Sequence, residues 1–161
     1  NSTTNLLLTR IEQGESLETA IDYAQAIGIA ETDPSGDVDG WDAAVKVAAL
    51  VTVLMGIPLK PAEVERIGIR EITAKDVAQA RAEKKRWKLL CSAWREEDTV
   101  YAQVRPHVVD SDSPFYNVMG TSSMIQFQCD TLGKFAVVEE DPSPLTTAYG
   151  LLADFLNAVN V

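Results

Sequence analysis

Asp42 and Lys46 are the two charged residues of this sequence that are best placed to do chemistry. They lie four residues apart in the run from Trp41 to Met55, whose other residues are nearly all apolar, so on a helix they share one face about one turn apart. The apolar composition of the run predicts a helix that is buried on most sides. Because a carboxylate and an ammonium are costly to bury unless they are paired or used, the pair indicates a functional site.

An acidic loop precedes this pair. Its four carboxylates are Glu31, Asp33, Asp37 and Asp39. Carboxylates grouped near a loop suit an ammonium group, such as that of an amino acid substrate. A lysine beside a carboxylate can donate a hydrogen bond to a substrate hydroxyl or carbonyl oxygen and exchange a proton with it. The plainer interpretation is that Asp42 only completes a helix cap and that Lys46 is its ordinary i,i+4 partner.

The composition predicts one ordinary globular domain over residues 1–161. The chain is long enough to bury a core, and 46% of its residues are hydrophobic. Its net charge of −10 argues against nucleic acid, which needs a basic face. No apolar run approaches the roughly 18 residues that would suggest a membrane span. A small basic cluster is interpreted as a solvated helix end; it consists of Lys84, Lys85, Arg86 and Lys88.

The cysteine and histidine content argues against a metal site. Cys91 and Cys129 are too few and too far apart for a metal site or a disulfide framework, and free thiols fit a reducing cytoplasm. His107 is the only histidine, so we expect no metal ligands and no histidine-based triad.

The first half of the chain predicts four helices. Their expected N-caps are Thr4 or Asn5, Ser16, Asp39 and Thr73. Gly14 and Gly28 are expected to end the first two helices, and residues 31–40 to form a loop. The third helix is expected to run to about Met55, and the fourth spans roughly residues 74–86.

The hydrophobic period then changes from 3.6 to 2, which predicts strands. The expected strands are residues 87–95, 99–109, 124–129 and 134–138, and a last helix covers residues 144–158. This order predicts an α+β fold, with helices followed by a mixed or largely antiparallel sheet that is covered by helices on one face.

The sequence contains no glycine-rich G-x-G-x-x-G turn, so a nucleotide cofactor would have to be bound mainly outside this chain. The sequence begins at Asn1, directly in a motif and without an initiator Met. We therefore expect it to be a piece of a longer polypeptide.

Several segments resemble the substrate domain of homoserine dehydrogenases. The opening Asn1-Ser2-Thr3-Thr4-Asn5 is similar to the Asn-Gly-Thr-Thr-Asn opening of that domain. The block that runs from Glu31 through Asp37 and Asp42 to Lys46 is similar in order and spacing to the family's central signature. Weaker similarities follow in the family's order at Gly68-Ile69, Ser113-Pro114-Phe115, Asp130-Thr131-Leu132-Gly133 and Thr147-Ala148-Tyr149. Together they cover essentially the whole chain.

The resemblance implies an NAD- or NADP-dependent oxidoreductase that interconverts L-homoserine and L-aspartate 4-semialdehyde in threonine and methionine biosynthesis. By position, Lys46 would transfer the proton at the substrate hydroxyl and Asp42 would be its partner there. Glu31 would bind the substrate ammonium, Asp37 would support the same pocket, and Thr3 would lie near the substrate or nicotinamide. The resemblance also implies a nucleotide-binding domain upstream, which would bind most of the cofactor, and a homodimer formed through the sheet. The cofactor-binding residues of this chain, and the choice between NAD and NADP, stay open.

Residues 139–141 depart from the family pattern. The sequence Glu139-Glu140-Asp141 stands where the family has a glycine-rich loop, and three carboxylates would repel a phosphate. This departure keeps two alternatives open. The chain could be a non-catalytic relative that binds an amino acid or only dimerises, or part of a dehydrogenase for another semialdehyde or hydroxy acid.

Overall fold

The computed structural model describes residues 1–159 and confirms the α+β fold class. The helices are α1 (Ser2–Glu12), α2 (Leu17–Ala26), α3 (Ser35–Val38), α4 (Trp41–Leu50), α5 (Ala74–Ala82) and α6 (Pro144–Val159). The strands are β1 (Glu65–Arg66), β2 (Arg86–Glu96), β3 (Thr99–Val109), β4 (Ser123–Cys129) and β5 (Gly133–Glu139). A π-helix, Val51–Met55, continues α4, and a 3-10 turn covers Pro61–Glu63. Over the described range, no helix is long and apolar enough to cross a membrane.

The strands form two sheets rather than the single sheet that the sequence predicts. β2 and β3 form a long antiparallel hairpin, and β1 adds to β3 in parallel, which gives the order β1-β3-β2. β4 pairs only with β5. The alternating pattern identifies the four longer strands, β2 to β5, and misses the two-residue strand β1. It carries no information about which edges pair after the connection between β3 and β4.

Helices cover one face of the three-stranded sheet. Leu7, Ala24, Ile69 and Val77 belong to one buried cluster that joins α1, α2 and α5. A second cluster packs the small residues of α4 against Val104 of β3. These two clusters fix the start of α1 and the start of α4, where the predicted site residues lie.

The helix caps at Ser16 and Thr73 are confirmed, and the cap predicted for the first helix is wrong. The side-chain oxygen of Asn1 accepts from the Thr3 amide at 3.1 Å, so α1 begins three or more residues earlier than expected. Thr4 therefore lies inside the first turn of α1, and its hydroxyl donates to the Asp37 carbonyl at 3.3 Å. Gly14, at φ +102°, follows the end of α1 as predicted.

The predicted cap of the third helix is also wrong. Residues 31–40 contain the short helix α3, and α4 starts after Gly40, which adopts φ +78° and makes no side-chain cap. The Asp39 carboxylate instead accepts from two nitrogens of Arg70, at 2.8 and 3.0 Å. Those hydrogen bonds hold the pKa of Asp39 below its ordinary value.

The expectation that α4 is buried on most sides is wrong. Its buried stripe is confined to Ala43, Ala44, Val47 and Ala48, which pack toward the sheet. Val45 and Leu50 are exposed on the other faces. The π-helix that follows ends before Gly56, at φ +69°, so the predicted end near Met55 is confirmed.

Large apolar side chains cover the outer faces of α6 and β5. Leu145, Tyr149, Phe155 and Val137 are examples, each more than half exposed. On the three-stranded sheet, Trp94 of β2 stacks on Tyr101 of β3 with 5.5 Å between ring centroids, and both rings are exposed. These surfaces are available for contacts beyond the residues described.

Candidate active site

The first turn of α4 places Asp42 and Lys46 on one side of the helix, as their spacing predicts. The Lys46 Nζ atom donates to Asp42 Oδ2 at 2.7 Å. The expectation that this pair is buried is wrong, because the Lys46 side chain is 58% exposed and the Asp42 side chain is 40% exposed. Both residues flank the alanine stripe instead of belonging to it, so they remain accessible to solvent and to a ligand.

Asn1 joins this pair to the acidic loop. Its side-chain amide nitrogen donates to Asp42 Oδ2 at 2.7 Å and lies 3.5 Å from Asp37 Oδ1. Two carboxylates from α3 and α4 and one ammonium therefore meet at the N-terminus of α1. Sequence reasoning gave Asn1 no role, although it opens the motif that carries Thr3.

The environment of Asp37 differs from that of an exposed aspartate. Burial, followed by the nearby negative charge of Asp42, raises the pKa of Asp37. Hydrogen bonds from Asn1 and Thr3, and the positive charge of Lys46, oppose this rise. A cationic group placed beside Asp37 would relieve the unfavourable charge, and this is the property required of an ammonium ligand.

Thr3 and Glu31 are placed differently. Thr3 is buried, and its hydroxyl donates to the Ile29 carbonyl at 3.2 Å. It therefore lies beside the site and connects the start of α1 to the residues that lead into the acidic loop. Glu31 is exposed, and its backbone carbonyl accepts from Gln25 at 2.9 Å. No hydrogen bond or ion pair in residues 1–159 connects the Glu31 carboxylate with Asp37, Asp42 or Lys46.

A groove of about 880 Å³ opens beside this cluster. Its polar end is lined by Asn1, Asn5, Lys46, Lys88, Ser122 and Ser123. Its apolar wall includes Leu50 and Leu54 on one side and Phe127 and Val137 of the β4–β5 hairpin on the other. The groove is large enough for a small polar substrate together with part of a larger ligand.

Lys88 contradicts the interpretation of the basic cluster as a solvated helix end. α5 ends at Ala82, and Arg86 already begins β2. Lys88 is only 5% exposed, and its ammonium donates to Asn5 Oδ1 at 2.8 Å and to the Val118 carbonyl. Burial, with a smaller contribution from Arg86, lowers its pKa to about 8. Alternation along the strand places Lys88 on the face opposite to Trp87 and Leu89, so no local sequence signal indicated that it is buried.

Glu139 lines the groove, and Asp141 is hydrogen-bonded to Ser122, another of the lining residues. The Asp141 amide donates to Ser122 Oγ at 3.1 Å, and Ser123 Oγ lies 3.5 Å from a carboxylate oxygen of Glu139. The groove mouth is thus acidic on the hairpin side, while Lys46 provides positive charge on the α4 side.

These groups together suit an acid–base reaction at an alcohol or carbonyl oxygen. Lys46 can give or take a proton, Asp42 fixes its position, and Asp37 supplies a carboxylate for a cation. Two of the four loop acids are committed elsewhere, because Asp39 binds Arg70 and the Asp33 carboxylate accepts from the Ser35 amide at 3.0 Å.

Comparisons with known proteins show which family the chain resembles. A family model described as homoserine dehydrogenase matches residues 1–156. An NAD(+)-dependent homoserine dehydrogenase of Pseudomonas canavaninivorans is 33% identical over 158 residues, which cover 98% of this chain and 45% of that protein. A homoserine dehydrogenase of Methanocaldococcus jannaschii is 35% identical over 161 residues, covering 99% of this chain and 46% of the relative.

Solved structures show the same fold. A crystal structure of Staphylococcus aureus homoserine dehydrogenase superposes with a TM-score of 0.86 at 29% identity, covering 99% of this chain and 40% of that one. One from Thiobacillus denitrificans gives a TM-score of 0.85, also at 29% identity, covering 96% and 36% of the two chains. The chain thus spans less than half the length of the relatives it matches.

Proposed function

The chain belongs to the homoserine dehydrogenase family, and we propose that it supplies the substrate side of an NAD(P)-dependent enzyme that interconverts L-homoserine and L-aspartate 4-semialdehyde. The observation that carries this proposal is the meeting of Asp37, Asp42 and Lys46 around Asn1, beside a groove whose lining includes Asn1 and Lys46. Such an enzyme would serve threonine and methionine biosynthesis.

Lys46 is the proposed proton-transfer residue. Oxidation of the homoserine alcohol requires loss of the hydroxyl proton, which Lys46 accepts as a neutral amine, directly or through a water; in the reverse direction the Lys46 ammonium returns the proton. Asp42 accepts a hydrogen bond from the lysine nitrogen at 2.7 Å and is proposed to lie against the same hydroxyl. Both side chains are partly exposed, and Lys46 lines the groove, so a substrate can reach them.

The substrate ammonium is proposed to lie at Asp37. The raised pKa of Asp37 shows that its negative charge is poorly compensated, so an incoming cation gains a strong partner. Thr3 contributes by bracing the start of α1 beside this carboxylate. Glu31 remains a proposed ammonium ligand on the basis of the resemblance alone.

The cofactor is proposed to be NAD or NADP, bound mainly by a nucleotide-binding domain upstream of residue 1. The groove has room for the substrate and a nicotinamide ring, but the carboxylates of Glu139, which lines the groove, and of Asp141, which is bound to Ser122, do not fit a phosphate. The bound cofactor would supply the hydride acceptor. The name of the Pseudomonas canavaninivorans relative makes NAD⁺ the form to test first.

A homodimer formed through the sheet is a further proposal. The exposed Trp94–Tyr101 stack and the exposed apolar side chains of β5 support it, since such faces are usually covered in an assembly. A cytoplasmic location is proposed as well, and the free thiols of Cys91 and Cys129 support it.

Initial rates of the intact protein test the proposal. NAD⁺ and NADP⁺ reduction would be followed with L-homoserine and with 4-hydroxybutanoate, which keeps the alcohol and lacks the ammonium. We expect turnover of homoserine and a kcat/KM at least tenfold lower for the analogue, about what one charged hydrogen bond contributes. Equal rates for the two substrates would contradict the role of Asp37. Homoserine binding without turnover would instead indicate the non-catalytic alternative.

A further inference from the structure

Lys88 is a buried cation to which the proposed reaction assigns no role. It lies near the start of β2, 5% exposed, and its ammonium contacts Asn5 Oδ1, the Val118 carbonyl and, at 3.7 Å, the sulfur of Met119. No carboxylate within residues 1–159 forms an ion pair with it. Burying an ammonium that contacts only neutral groups is unfavourable in free energy. We therefore expect its hydrogen bonds to hold neighbouring segments of the chain in position.

The contacts of Lys88 join three separate parts of the chain. Lys88 belongs to β2, Asn5 belongs to α1, and Val118 begins the segment 118–122 that leads into β4. The Asn5 side-chain nitrogen donates to the carbonyls of Gly120 and Ser122, at 3.0 and 3.1 Å. We call Lys88, Asn5 and segment 118–122 the clamp.

A second contact holds the same segment to the same helix. The Gly120 amide donates to Thr9 Oγ1 at 3.0 Å, and the Thr9 hydroxyl donates to the Asn5 carbonyl at 2.7 Å. Segment 118–122 is therefore attached to α1 over more than one helical turn, and Ser122 and Ser123 are set at the wall of the groove.

The clamp is one helical turn away from the proposed reaction site. The Asn5 amide donates to the Asn1 carbonyl at 3.1 Å, which closes the first turn of α1. Asn1 in turn holds Asp42 and reaches Asp37. A shift of Asn5 therefore moves the residue that brings the two carboxylates together.

We propose that Lys88 is a positioning residue of this site, because it anchors Asn5 and segment 118–122 and thereby fixes the first turn of α1 from which Asn1 reaches Asp37 and Asp42. This inference rests on the proposed function for its link to turnover. The clamp itself is a structural claim that can be tested without activity.

The experiment compares three forms of the intact protein: the parent, Lys88→Met and the control Lys85→Met. Lys85 is three residues away, its side chain is 43% exposed, and it forms an ion pair with Glu83. Hydrogen exchange measured by mass spectrometry would follow residues 1–9 and 116–123, and kcat and KM for homoserine would be measured on the same samples. For Lys88→Met we expect about tenfold faster exchange in both segments. We also expect a fall in kcat of about tenfold to a hundredfold that exceeds any change in KM.

Each result decides the question. Exchange in Lys88→Met that equals exchange in Lys85→Met overturns the clamp, whatever the activity. Faster exchange with an unchanged kcat overturns the positioning role. A parent that turns over no homoserine contradicts the proposed function and not the clamp, which the exchange data then decide alone.

A second variant covers the case in which Lys88→Met does not fold. Asn5→Asp keeps an acceptor for the Lys88 ammonium and removes the donor to the Gly120 and Ser122 carbonyls. Faster exchange confined to residues 116–123, with a lower kcat, supports the proposal. Unchanged exchange in that segment overturns it.

Discussion

Gly68→Ala should destabilise the protein more than an alanine substitution at a glycine whose surroundings have room for a Cβ atom. A Cβ atom at Gly68 would lie 2.2 Å from the Val38 carbonyl oxygen and 2.6 Å from the Asp39 Cα atom, and these backbone atoms cannot rotate away. The end of α3 would have to move, which breaks the 2.8 Å hydrogen bond from the Ile69 amide to the Val38 carbonyl. Overpacking costs about 1–3 kcal/mol and the lost hydrogen bond about 1 kcal/mol, so we expect about 2–4 kcal/mol.

Urea unfolding of the intact protein, followed by tryptophan fluorescence, measures this loss. Gly36→Ala is the matched control, because Gly36 lies in α3 itself, has no atom near its would-be Cβ, and does not have positive φ. The control should be neutral or stabilising by up to about 1 kcal/mol. Since α3 carries Asp37, Gly68→Ala should also raise the KM for homoserine. A free energy of unfolding within about 0.5 kcal/mol of the parent would refute the close contact between Gly68 and α3.

Three further predictions concern charged groups. Asp42→Asn should lower kcat at least tenfold through loss of the lysine's partner, while urea unfolding changes by no more than about 0.5 kcal/mol because the pair is exposed. Asp37→Asn should raise the free energy of unfolding at pH 7. Because the pKa of Asp37 is raised in the folded protein, ionisation of this carboxyl lowers the free energy of unfolding as pH rises from the unfolded to the folded pKa, and the neutral Asn removes that loss. The KM for homoserine, measured on the same variant, should rise about tenfold. The pKa of Lys88 is about 8 in the folded protein and about 10.4 when exposed, so the unfolded chain binds more protons between these values and stability rises with pH there. Urea unfolding at pH 7.5 and 10 should show this rise, roughly 2 kcal/mol, in the parent relative to Lys88→Met.

Much of the secondary structure could be predicted because it depends on local chemistry. Ser16 and Thr73 act as caps where hydroxyl side chains precede helical patterns. The β2–β3 hairpin matches its alternating pattern, with a turn at Glu97 in the left-handed region. The caps predicted at Thr4 or Asn5 and at Asp39 are not formed. In the folded chain the Thr4 hydroxyl donates to the Asp37 carbonyl and the Asp39 carboxylate accepts from Arg70, and both are contacts between distant parts of the sequence.

The contact between Asp42 and Lys46 could be predicted from the sequence, but the part of Asn1 in the cluster and the environment of these groups could not. The i,i+4 spacing placed Lys46 on Asp42 correctly, since helix geometry alone decides that contact. The exposure of Lys46 depends on which face of α4 packs against the sheet. That face consists mainly of alanines, and most of the larger apolar residues of α4 lie elsewhere. The burial of Lys88 depends on Asn5, 83 positions away, and no local pattern reports such a contact.

The most direct test of the role given to Lys46 is homoserine-dependent reduction of NAD⁺ and NADP⁺ by the intact protein, compared with Lys46→Ala. Lys75→Ala, at an exposed lysine of α5, is the control. We predict turnover by the parent and the control within about twofold of each other, and a kcat at least about a hundredfold lower for Lys46→Ala. Full activity in Lys46→Ala would contradict the assignment of Lys46 as the proton-transfer residue.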